Sequence, residues 1–406
     1  MTAIPTRPQR LRVRLTAAAL GMVRGGHPWV FASSVLETNR VGYAGELAVI
    51  YDRQDRFLAV GLYDPTSPIR VRILHAGKPL DLNDNWWQKR AQTAINKRAD
   101  LFKADTTGYR LIHGESDGWP GLVLDRYGDT LALKIYTPAW FPWLERVTRW
   151  IGACAKHDRL ILRLSRNIQG MDQTDKKWED GMMLDGNLPS SPVLFLEQGL
   201  TFEADVVRGQ KTGFFLDQRE NRMEVARLAD GRSVLNAFSF SGGFSVHAAR
   251  GGAVAVTDLD ISAHALSAAR RNMALNRASP AVSACRHEVI QANAFDWLEA
   301  SRDKFGMVIL DPPALAKRAS ERSGALHAYE RLAGLGADRL DPNGILVAGS
   351  CSSQVSANEF FRAVRKAAGR SGKRFQEMAT RFHPGDHPAG FKEAEYLKMI
   401  YLRRVG

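Results

Sequence analysis

Apolar residues at every second position predict strands in the first part of the chain. At 11–15 and again at 69–73, leucine, valine and isoleucine alternate with arginine, which is the spacing of a strand with one buried and one exposed face. Gly25-Gly26-His27-Pro28 and Asp64-Pro65 are turn signals between such strands. Residues 1–78 are therefore predicted to form a small barrel or sandwich with a basic face, although the same arginines also fit a plain solvated strand face.

Apolar residues at helical spacing predict two helices in residues 79–200. The segments 83–102 and 143–155 carry this pattern, and their tryptophans are predicted to be core residues rather than a platform for a ligand. These tryptophans are Trp86, Trp87, Trp143 and Trp150.

Two strand-like runs lie between these helices. The runs 122–127 and 131–136 are joined through Gly128-Asp129, which is a hairpin signal. After the second helix, residues 169–191 are rich in Asp, Lys, Gly and Pro, and they are predicted to be a loop or linker.

From residue 201 onward strands and helices alternate. The helices are predicted at 244–250 and 262–276, and such an alternation is typical of a parallel, doubly wound sheet. Ligands of these sheets bind at the carboxyl ends of the strands, so the side chains that follow each strand are the first candidates for a functional site. The predicted strands are 233–238, 253–258, 289–292, 307–310 and 345–348.

Composition and charge narrow the class of protein. The chain has 406 residues, which is room for two or three domains. Its net charge is +13, with +6 in residues 1–78, +7 in residues 201–406 and none between them. This surplus predicts an anionic partner, with nucleic acid first and an anionic membrane surface second.

The chain lacks the marks of a membrane or secreted protein. No apolar run approaches the ~20 residues of a membrane helix, and the first ten residues do not form a secretory signal. Cys154, Cys285 and Cys351 are too widely spaced for a disulfide framework or a Cys-x-x-Cys metal site. A reducing cytoplasm is the predicted location.

The ends of the first three predicted strands carry residues suited to a nucleoside ligand. Gly242 and Gly243 allow a tight turn and a close approach of backbone to ligand, although an ordinary strand-to-helix turn can use the same glycines. Asp260 stands where a carboxylate binds the ribose hydroxyls, unless it serves only as a helix N-cap or as a partner of the helix dipole. Asn293 offers an amide for the edge of adenine.

The ends of the fourth and fifth strands carry candidate reactive groups. Asp311-Pro312-Pro313 combines a carboxylate with two rigid backbone φ angles that follow it, with a plain turn as the alternative. Cys351 lies among serines at a strand end, which favours a working thiolate over an inert buried cysteine. Residues 209–212 are a poor match to a phosphate loop, and His383 and His387 are predicted to be hydrogen-bonded or to contact a base rather than to bind metal.

With these motifs in this order, the chain resembles the bacterial large-subunit rRNA 5-methylcytosine methyltransferases, in which a class I methyltransferase domain follows a PUA domain. The resemblance covers nearly the whole chain. The motifs that carry it are His27-Pro28-Trp29-Val30-Phe31, residues 114–121, 211–219 and 236–244, Asp311-Pro312-Pro313, Ser350-Cys351-Ser352 and Asp386-His387-Pro388.

The resemblance implies an α/β fold of three domains. They are a β-rich PUA-like RNA-binding domain at 1–78, a central mixed α/β domain and linker at 79–200, and a Rossmann-like methyltransferase domain at 201–406. It further implies S-adenosylmethionine (SAM) as the cofactor, no metal, and a cytosine in rRNA as the substrate, in single-stranded or flipped form. A homodimer is left open.

The resemblance also implies roles for the site residues. Asp260 would bind the ribose hydroxyls and Asn293 the adenine amine, although family members often carry Asp at the position of Asn293. The segment around Phe214 and Gln218 would cover the cofactor from the domain junction. The full set of implied cofactor-binding residues is Phe214, Gln218, Asn236, Phe238, Ser239, Gly242, Gly243, Asp260, Asn293, Asp311 and Pro312.

In the implied reaction, the Cys351 thiolate adds to C6 of the cytosine and raises the electron density at C5, which then accepts the methyl group. Asp311 would hold the N3–N4 edge of the base and stabilise the charge that develops there. Some related enzymes carry a second cysteine in the fourth-strand motif, where this chain has Pro312-Pro313, so the group that removes the C5 proton is unassigned. Arginines of the N-terminal strands would hold phosphates.

Two other functions fit the sequence less well. An RNA methyltransferase acting on an exocyclic amine often has an aromatic residue after Asp-Pro-Pro, where this chain has Ala314. A non-catalytic RNA-binding protein with a decayed cofactor fold would have no need to keep the glycine turn, Asp260, Asp311 and Cys351 together.

Overall fold

The structure is a computed structural model that describes residues 10–171 and 177–405. The chain divides into two compact units. Among the described residues, the first unit takes the chain up to Phe102, Gly108–Val193 and Asp205–Gly213, and the second takes Lys103–Thr107, Leu194–Ala204 and the chain from Phe214 onward. The division into three domains at residues 78 and 200 stays a prediction.

A six-stranded sheet begins the first unit. Its strand order is β2-β6-β5-β4-β1-β3, in which β1 runs parallel to β4 and the other neighbours are antiparallel. In β1 the three apolar side chains are buried and the two arginines are exposed, as the alternation of apolar and polar residues predicts. The elements are β1 (Leu11–Leu15), α1 (Ala17–Arg24), β2 (Trp29–Phe31), β3 (Val35–Thr38), β4 (Leu47–Tyr51), β5 (Phe57–Tyr63) and β6 (Ile69–Ala76).

A five-stranded sheet in the order β11-β10-β9-β8-β7 follows in the same unit. Its antiparallel pair β8–β9 is the predicted hairpin. The predicted linker at 169–191 was wrong in part, because β11 lies inside it and pairs with β10; residues 172–176 of that linker are outside the described residues. The elements are α2 (Asp84–Asn96), β7 (Gly108–His113), β8 (Leu122–Tyr127), β9 (Thr130–Ile135), α3 (Leu144–Cys154), β10 (Arg159–Leu164), α4 (Arg166–Gln169) and β11 (Met183–Asp185).

Tryptophans fill the core under this second sheet, as predicted. Trp87 is fully buried and stacks on Trp150 with ring centroids 5.0 Å apart. Trp86 and Trp143 are partly buried against the same cluster. Aromatic burial is a large stabilising contribution, so these residues serve packing rather than ligand binding.

The second unit contains a seven-stranded sheet in the order β16-β15-β14-β17-β18-β20-β19. The first five strands are parallel, and β20 runs antiparallel to both of its neighbours. The strands are β12 (Val193–Glu197) and β13 (Leu200–Ala204), which pair with each other, and then β14 (Ser233–Ala237), β15 (Ala255–Asp260), β16 (Arg286–Gln291), β17 (Phe305–Leu310), β18 (Leu340–Ser350), β19 (Arg374–Arg381) and β20 (Lys398–Val405).

Helices alternate with the parallel strands, which confirms the predicted Rossmann-like arrangement. The helices of this part of the chain are α5 (Arg219–Leu228), α6 (Gly243–Arg250), α7 (Ala263–Leu275), α8 (Pro280–Ala284), α9 (Ala294–Ala300), α10 (Arg322–Asp338) and α11 (Ala357–Arg370). No helix within residues 10–171 and 177–405 is long and apolar enough to cross a membrane.

Candidate active site

The carboxyl ends of the parallel strands bring the predicted site residues to one edge of the seven-stranded sheet. The strand ends are level, because Ala237 lies opposite both Leu259 and Leu310. The antiparallel strand β20 begins at this same edge, with Lys398 opposite Ser350. The side chains that follow β14, β15, β16, β17 and β18 are, in that order, Ser239, Asp260, Asn293, Asp311 and Cys351, with Asp260 as the last residue of its strand.

The turn after β14 holds an unusual backbone conformation. Phe238 and Phe240 have φ angles of 60° and 49°, and Gly242 has a φ of 73°. Positive φ at a bulky residue costs free energy, and such strain is concentrated at ligand-binding sites. The turn is held by the amide of Phe240, which donates to Oδ2 of Asp260 at 3.0 Å.

Buried polar atoms around this turn fit a polar ligand. Within the described residues, the hydroxyls of Ser239 and Ser241 are buried and have no hydrogen-bond partner. A Cβ at Gly242 would lie 2.9 Å from Cβ of Ala269 and 3.0 Å from Oδ2 of Asp258, so this position accepts only glycine without rearrangement. A close-approach turn lined with unsatisfied donors suits the polar amino-acid end of a cofactor such as SAM.

Asn236 lies beneath the turn in a buried network. Its Nδ2 donates to Oγ of Ser245 at 3.0 Å and to Oδ1 of Asp258 at 2.9 Å. The other oxygen of Asp258 lies 2.8 Å from Nε2 of His287. Asn236 therefore braces the first two strand ends, and its role in lining the cofactor stays a prediction.

Asp260 and Asn293 both bond to the backbone at the start of the following segment. Oδ1 of Asp260 accepts from the amide of Ser262 at 2.9 Å, and Ser262 itself caps α7. The N-cap interpretation of Asp260 was therefore wrong, and its half-buried carboxylate keeps lone pairs for further donors. Oδ1 of Asn293 caps α9 through the amide of Phe295 at 2.9 Å. Their ribose and adenine roles stay predictions.

The side chain of Gln218 is hydrogen-bonded to Asp311. Its Nε2 donates to Oδ2 of Asp311 at 2.9 Å, and its Oε1 accepts from Nδ2 of Asn221 at 2.6 Å. The hydroxyl of Tyr401 in turn donates to Oδ1 of Asn221 at 3.1 Å. This buried relay sets the orientation of the Gln218 amide, so that its NH₂ group faces the carboxylate.

Phe214 is a buried residue of the aromatic cluster beside α6. Its ring lies 5.1 Å from that of Phe195 and 5.2 Å from that of Phe202 between centroids. A Cβ at Gly243 would lie 3.2 Å from its Cζ. Phe214 thus supports the start of α6, and direct contact with a cofactor stays a prediction.

Cys351 faces the Asp-Pro-Pro turn. Its Sγ lies 3.9 Å from the carbonyl oxygen of Pro312, and the side chain is half-buried. The neighbouring serines are held by Tyr329, whose hydroxyl lies 2.9 Å from Oγ of Ser350 and 2.9 Å from Oγ of Ser352. The residues on both sides of Cys351 are therefore held in place, and its thiol lies against the residue that follows Asp311.

The other two cysteines have different surroundings. Burial raises the pKa of the Cys285 thiol to about 11, and burial also raises the pKa of Cys154. Sγ of Cys154 lies 3.6 Å from the carbonyl oxygen of Gln88, in the first unit. A raised pKa keeps a thiol protonated and unreactive, so neither Cys154 nor Cys285 is suited to act as a nucleophile.

The second unit contains a buried cluster of charged side chains around Glu197. Glu197 accepts two hydrogen bonds of 2.6 Å from Arg222 and lies 2.9 Å from Nε2 of His247. Burial lowers the pKa of His247 to about 4. Burial alone would raise the pKa of Glu197, but the charges of Arg222 and His247 outweigh it and lower that pKa to about 2.

The histidines near the end of the chain are hydrogen-bonded, as predicted. Nε2 of His383 accepts from the amides of Tyr396 and Leu397 at 3.2 and 3.0 Å. Nδ1 of His387 lies 3.0 Å from Oδ1 of buried Asp386. These hydrogen bonds of the two imidazole rings lie within the segment that connects β19 to β20.

The predicted basic face of the first sheet is largely occupied by acidic partners. Arg72 is buried and its Nη1 donates to Oε1 of Glu115 at 3.2 Å, where Trp29 also donates. The Arg14 guanidinium lies 3.2 Å from Glu37 and 3.3 Å from Asp55. The prediction that these arginines form an exposed basic face was therefore wrong for Arg72, because its side chain is buried and paired with Glu115.

Sequence reasoning missed several side chains that support the site, among them Asn221, Tyr329 and Lys398. Lys398 is buried, and its Nζ donates to the carbonyl oxygens of Ser352 and Val355. A lysine at the start of the apolar run 399–402 was a usable signal, because lysine is rarely buried without a specific partner. Asn221 and Tyr329 gave no such signal, since their contacts join distant parts of the chain.

A strained glycine turn, a strand-end carboxylate and Asp-Pro-Pro at one edge of a parallel sheet define a class I SAM-dependent methyltransferase. In agreement, residues 177–393 match the S-adenosylmethionine-dependent methyltransferase family, and residues 13–76 match a PUA-like domain. The chain belongs to this family of SAM-dependent methyltransferases, in a form that also carries an N-terminal PUA-like domain.

Its relatives match along their whole length. The ribosomal RNA large subunit methyltransferase of Deinococcus radiodurans is 54% identical over 99% of this chain and 100% of its own length. The ribosomal RNA large subunit methyltransferase I of Shewanella denitrificans is 34% identical over 97% of this chain and 99% of its own.

Solved structures share the fold. A Streptococcus mutans protein assigned as a SAM-dependent methyltransferase superimposes with a TM-score of 0.80, over 97% of this chain and 99% of that one. A methyltransferase complexed with SAH gives a TM-score of 0.82 over the same shares. Both are 22% identical to this chain, so the likeness is one of fold.

Proposed function

We propose that this protein methylates C5 of a cytosine in large-subunit ribosomal RNA through a covalent adduct with Cys351. The observation that carries the proposal is the position of the Cys351 thiol, 3.9 Å from the carbonyl oxygen of Pro312, the residue that follows Asp311. The names of the relatives support ribosomal RNA as the substrate. Such a substrate also supports the predicted cytoplasmic location.

The cofactor fits the residues at the strand ends. The turn at Gly242, the buried hydroxyls of Ser239 and Ser241, and the carboxylate of Asp260 would hold SAM. When bound, SAM supplies the methyl group that C5 receives. The chain's own contribution is to exclude water, orient the base and provide the nucleophile.

The proposed chemistry begins with the Cys351 thiolate. Its sulfur forms a bond to C6 of the cytosine, and the electron pair of the C5–C6 double bond moves toward C5 and the ring. After methylation, C5 carries both a methyl group and a proton. A base removes that proton, the double bond re-forms, and the thiolate leaves C6. No residue is assigned as this base.

Asp311 would position the base during these steps. Its carboxylate can accept a hydrogen bond from the exocyclic N4 amine of cytosine while Gln218 holds its other side. The hydrogen bonds of Gln218 fix the carboxylate before the substrate arrives, so little reorganisation is needed in the transition state. This arrangement needs a base outside a duplex, in a single strand or flipped.

The first unit would contribute affinity for RNA. Arg12 and Arg14 are exposed on β1, and their ion pairs with Asp55 and Glu37 are solvent-exposed. Exposed pairs are weak, so phosphates can compete for these guanidinium groups. Such contacts set the register of the RNA without reading its bases.

The proposal is tested with Cys351→Ala, and with Cys154→Ala as the matched control. We expect Cys351→Ala to lose methyl transfer to rRNA while it still binds SAM, and Cys154→Ala to retain both. RNA that carries 5-fluorocytosine is expected to stay bound to the unaltered enzyme through denaturing electrophoresis, because C5 then has no proton to lose. Normal turnover by Cys351→Ala would contradict the nucleophile assignment.

The product distinguishes the alternatives. Bisulfite sequencing and mass spectrometry of digested RNA separate methylation at C5 from methylation at an exocyclic amine. Methylation at an amine would replace the proposed reaction. If calorimetry detected no binding of SAM or SAH, the chain would instead be an RNA-binding protein with an inactive cofactor fold.

A further inference from the structure

The side chain of Lys398 is hydrogen-bonded to the turn that follows Cys351. Lys398 is the first residue of β20, paired with Ser350 across the sheet, and it is 2% exposed. Its Nζ donates to the carbonyl oxygens of Ser352 and Val355, at 2.6 Å each. These carbonyls belong to the segment directly after Cys351, so the ammonium group closes that segment into a fixed shape.

Apart from the two carbonyl oxygens, few groups offset the positive charge of Lys398. Among the described residues, no carboxylate lies within ion-pair distance of its Nζ. Burial lowers the pKa of Lys398 to about 8, and the largest opposing influence is the negative charge of the Cys351 thiolate, followed by Glu359 and Glu395. A buried cation without a carboxylate partner is costly, which suggests that it has a specific role.

Tyr329, Asp311 and Glu359 cannot supply the positive charge that would stabilise a Cys351 thiolate. Tyr329 is neutral near pH 7 like any ordinary tyrosine, and burial raises its pKa further. Asp311 is engaged by Gln218, and Glu359 pairs with Arg322 and accepts from Ser356. The acidic groups would disfavour a thiolate, so a nearby cation is needed to stabilise it.

We infer that Lys398 is a positioning residue that holds the Cys351 turn and stabilises the thiolate form of Cys351 by its charge. The inference rests on the proposed function, in which Cys351 is the nucleophile. The ammonium group keeps its proton throughout, so Lys398 enters no bond-making step. Its contribution is to raise the fraction of Cys351 that is ready to attack at neutral pH.

The experiment measures how the alkylation rate of Cys351 by iodoacetamide depends on pH, without RNA. Cys154 and Cys285 are replaced by serine so that one thiol reacts. Lys398→Met removes the charge at similar volume and is compared with Lys134→Met. Lys134 is the matched control. Burial lowers its pKa to about 8 as well, and it donates to a backbone carbonyl, that of Lys211 in the first unit.

We expect the apparent pKa of Cys351 to rise by about one to two pH units in Lys398→Met, the shift typical of a nearby opposite charge, and to stay unchanged in Lys134→Met. Lys398→Arg keeps the charge, and the apparent pKa of Cys351 in this variant is expected to stay close to that of the chain with Lys398. An unchanged pKa in a folded Lys398→Met variant would overturn the inference.

A second measurement does not depend on the folding of any Lys398 variant. The thiolate absorbance of Cys351 is titrated in the chain that has serine at 154 and 285 and keeps Lys398. The titration is carried out on the folded protein and again in urea. A folded pKa below the unfolded pKa supports the inference, and a folded pKa equal to or above it overturns it. Because no methyl transfer is measured, this failure is distinct from retained activity in Cys351→Ala, which would overturn the proposed function itself.

Discussion

The amide nitrogen of Gln218 donates a hydrogen bond to Oδ2 of Asp311 at 2.9 Å, across 93 positions of sequence. The bond joins the segment before α5 to the end of β17. Asn221 and Tyr401 hold the amide in the orientation that this bond needs. The Asp311 carboxylate is therefore oriented by a buried relay rather than by its own turn alone.

Replacement of Gln218 by leucine is expected to reduce methyl transfer about 10- to 100-fold, because Asp311 loses an oriented donor in a buried site. SAM affinity, measured by calorimetry, is expected to change little. Tyr401→Phe removes only the far end of the relay and is expected to have a smaller effect on the single-turnover rate. A loss of SAM affinity in proportion to activity would mean that Gln218 contacts the cofactor, as the family resemblance implies.

Alanine at Gly242 is expected to destabilise the protein by about 2–4 kcal/mol and to abolish SAM binding, since the added Cβ meets Ala269 and Asp258 in a backbone of positive φ. Gly231→Ala is the matched control. Gly231 has a φ of 68° but no atom within 4 Å of an added Cβ, so only backbone strain of about 1 kcal/mol is expected. Urea denaturation and calorimetry with SAM measure both effects, and equal losses in the two variants would rule out a steric role for Gly242.

Acid is expected to destabilise the second unit through His247. The pKa of His247 is lowered to about 4 in the folded chain, whereas an unfolded histidine titrates near 6.5. Between these values the unfolded chain binds more protons, so the free energy of unfolding falls as the pH falls, by about 3 kcal/mol from this group. Glu197 continues the loss in the same direction, from about pH 4.5 to about pH 2.

The measurement is urea denaturation at a series of pH values from 7 to 4. His247→Gln keeps an amide donor for Glu197 but does not titrate, so its free energy of unfolding is expected to depend less on pH. His327→Gln replaces an exposed histidine and serves as the control. If both variants followed the pH dependence of the parent chain, another group would be responsible.

Glutamine at Glu115 is expected to destabilise the first unit by about 3 kcal/mol, because it leaves the charge of buried Arg72 without its carboxylate. Glu37→Gln breaks the exposed pair with Arg14 and is expected to cost no more than about 0.5 kcal/mol. Thermal or urea denaturation compares the two. A similar cost for both would mean that Arg72 does not depend on Glu115 and remains a candidate for phosphate binding.

The sequence alone was sufficient for the strands and helices that have a clear period. The alternation in 11–15, the hairpin at Gly128-Asp129 and the parallel strands of the second unit all appear close to the predicted positions. Strands β19 and β20 were not predicted. The mixed polar and apolar residues of Arg374–Arg381 carry no clean period, and β20 takes its place through pairing with β18 and β19.

By itself, then, the sequence determined the fold class and the strand ends that carry Asp260, Asp311 and Cys351, since hydrophobic period and turn residues are local properties. Only the tertiary structure decided which side chains support them. The bonds from Gln218 to Asp311 and from Lys398 to the Cys351 turn join segments far apart in the chain. Such partners are selected by the packing of the whole sheet, which no local pattern contains.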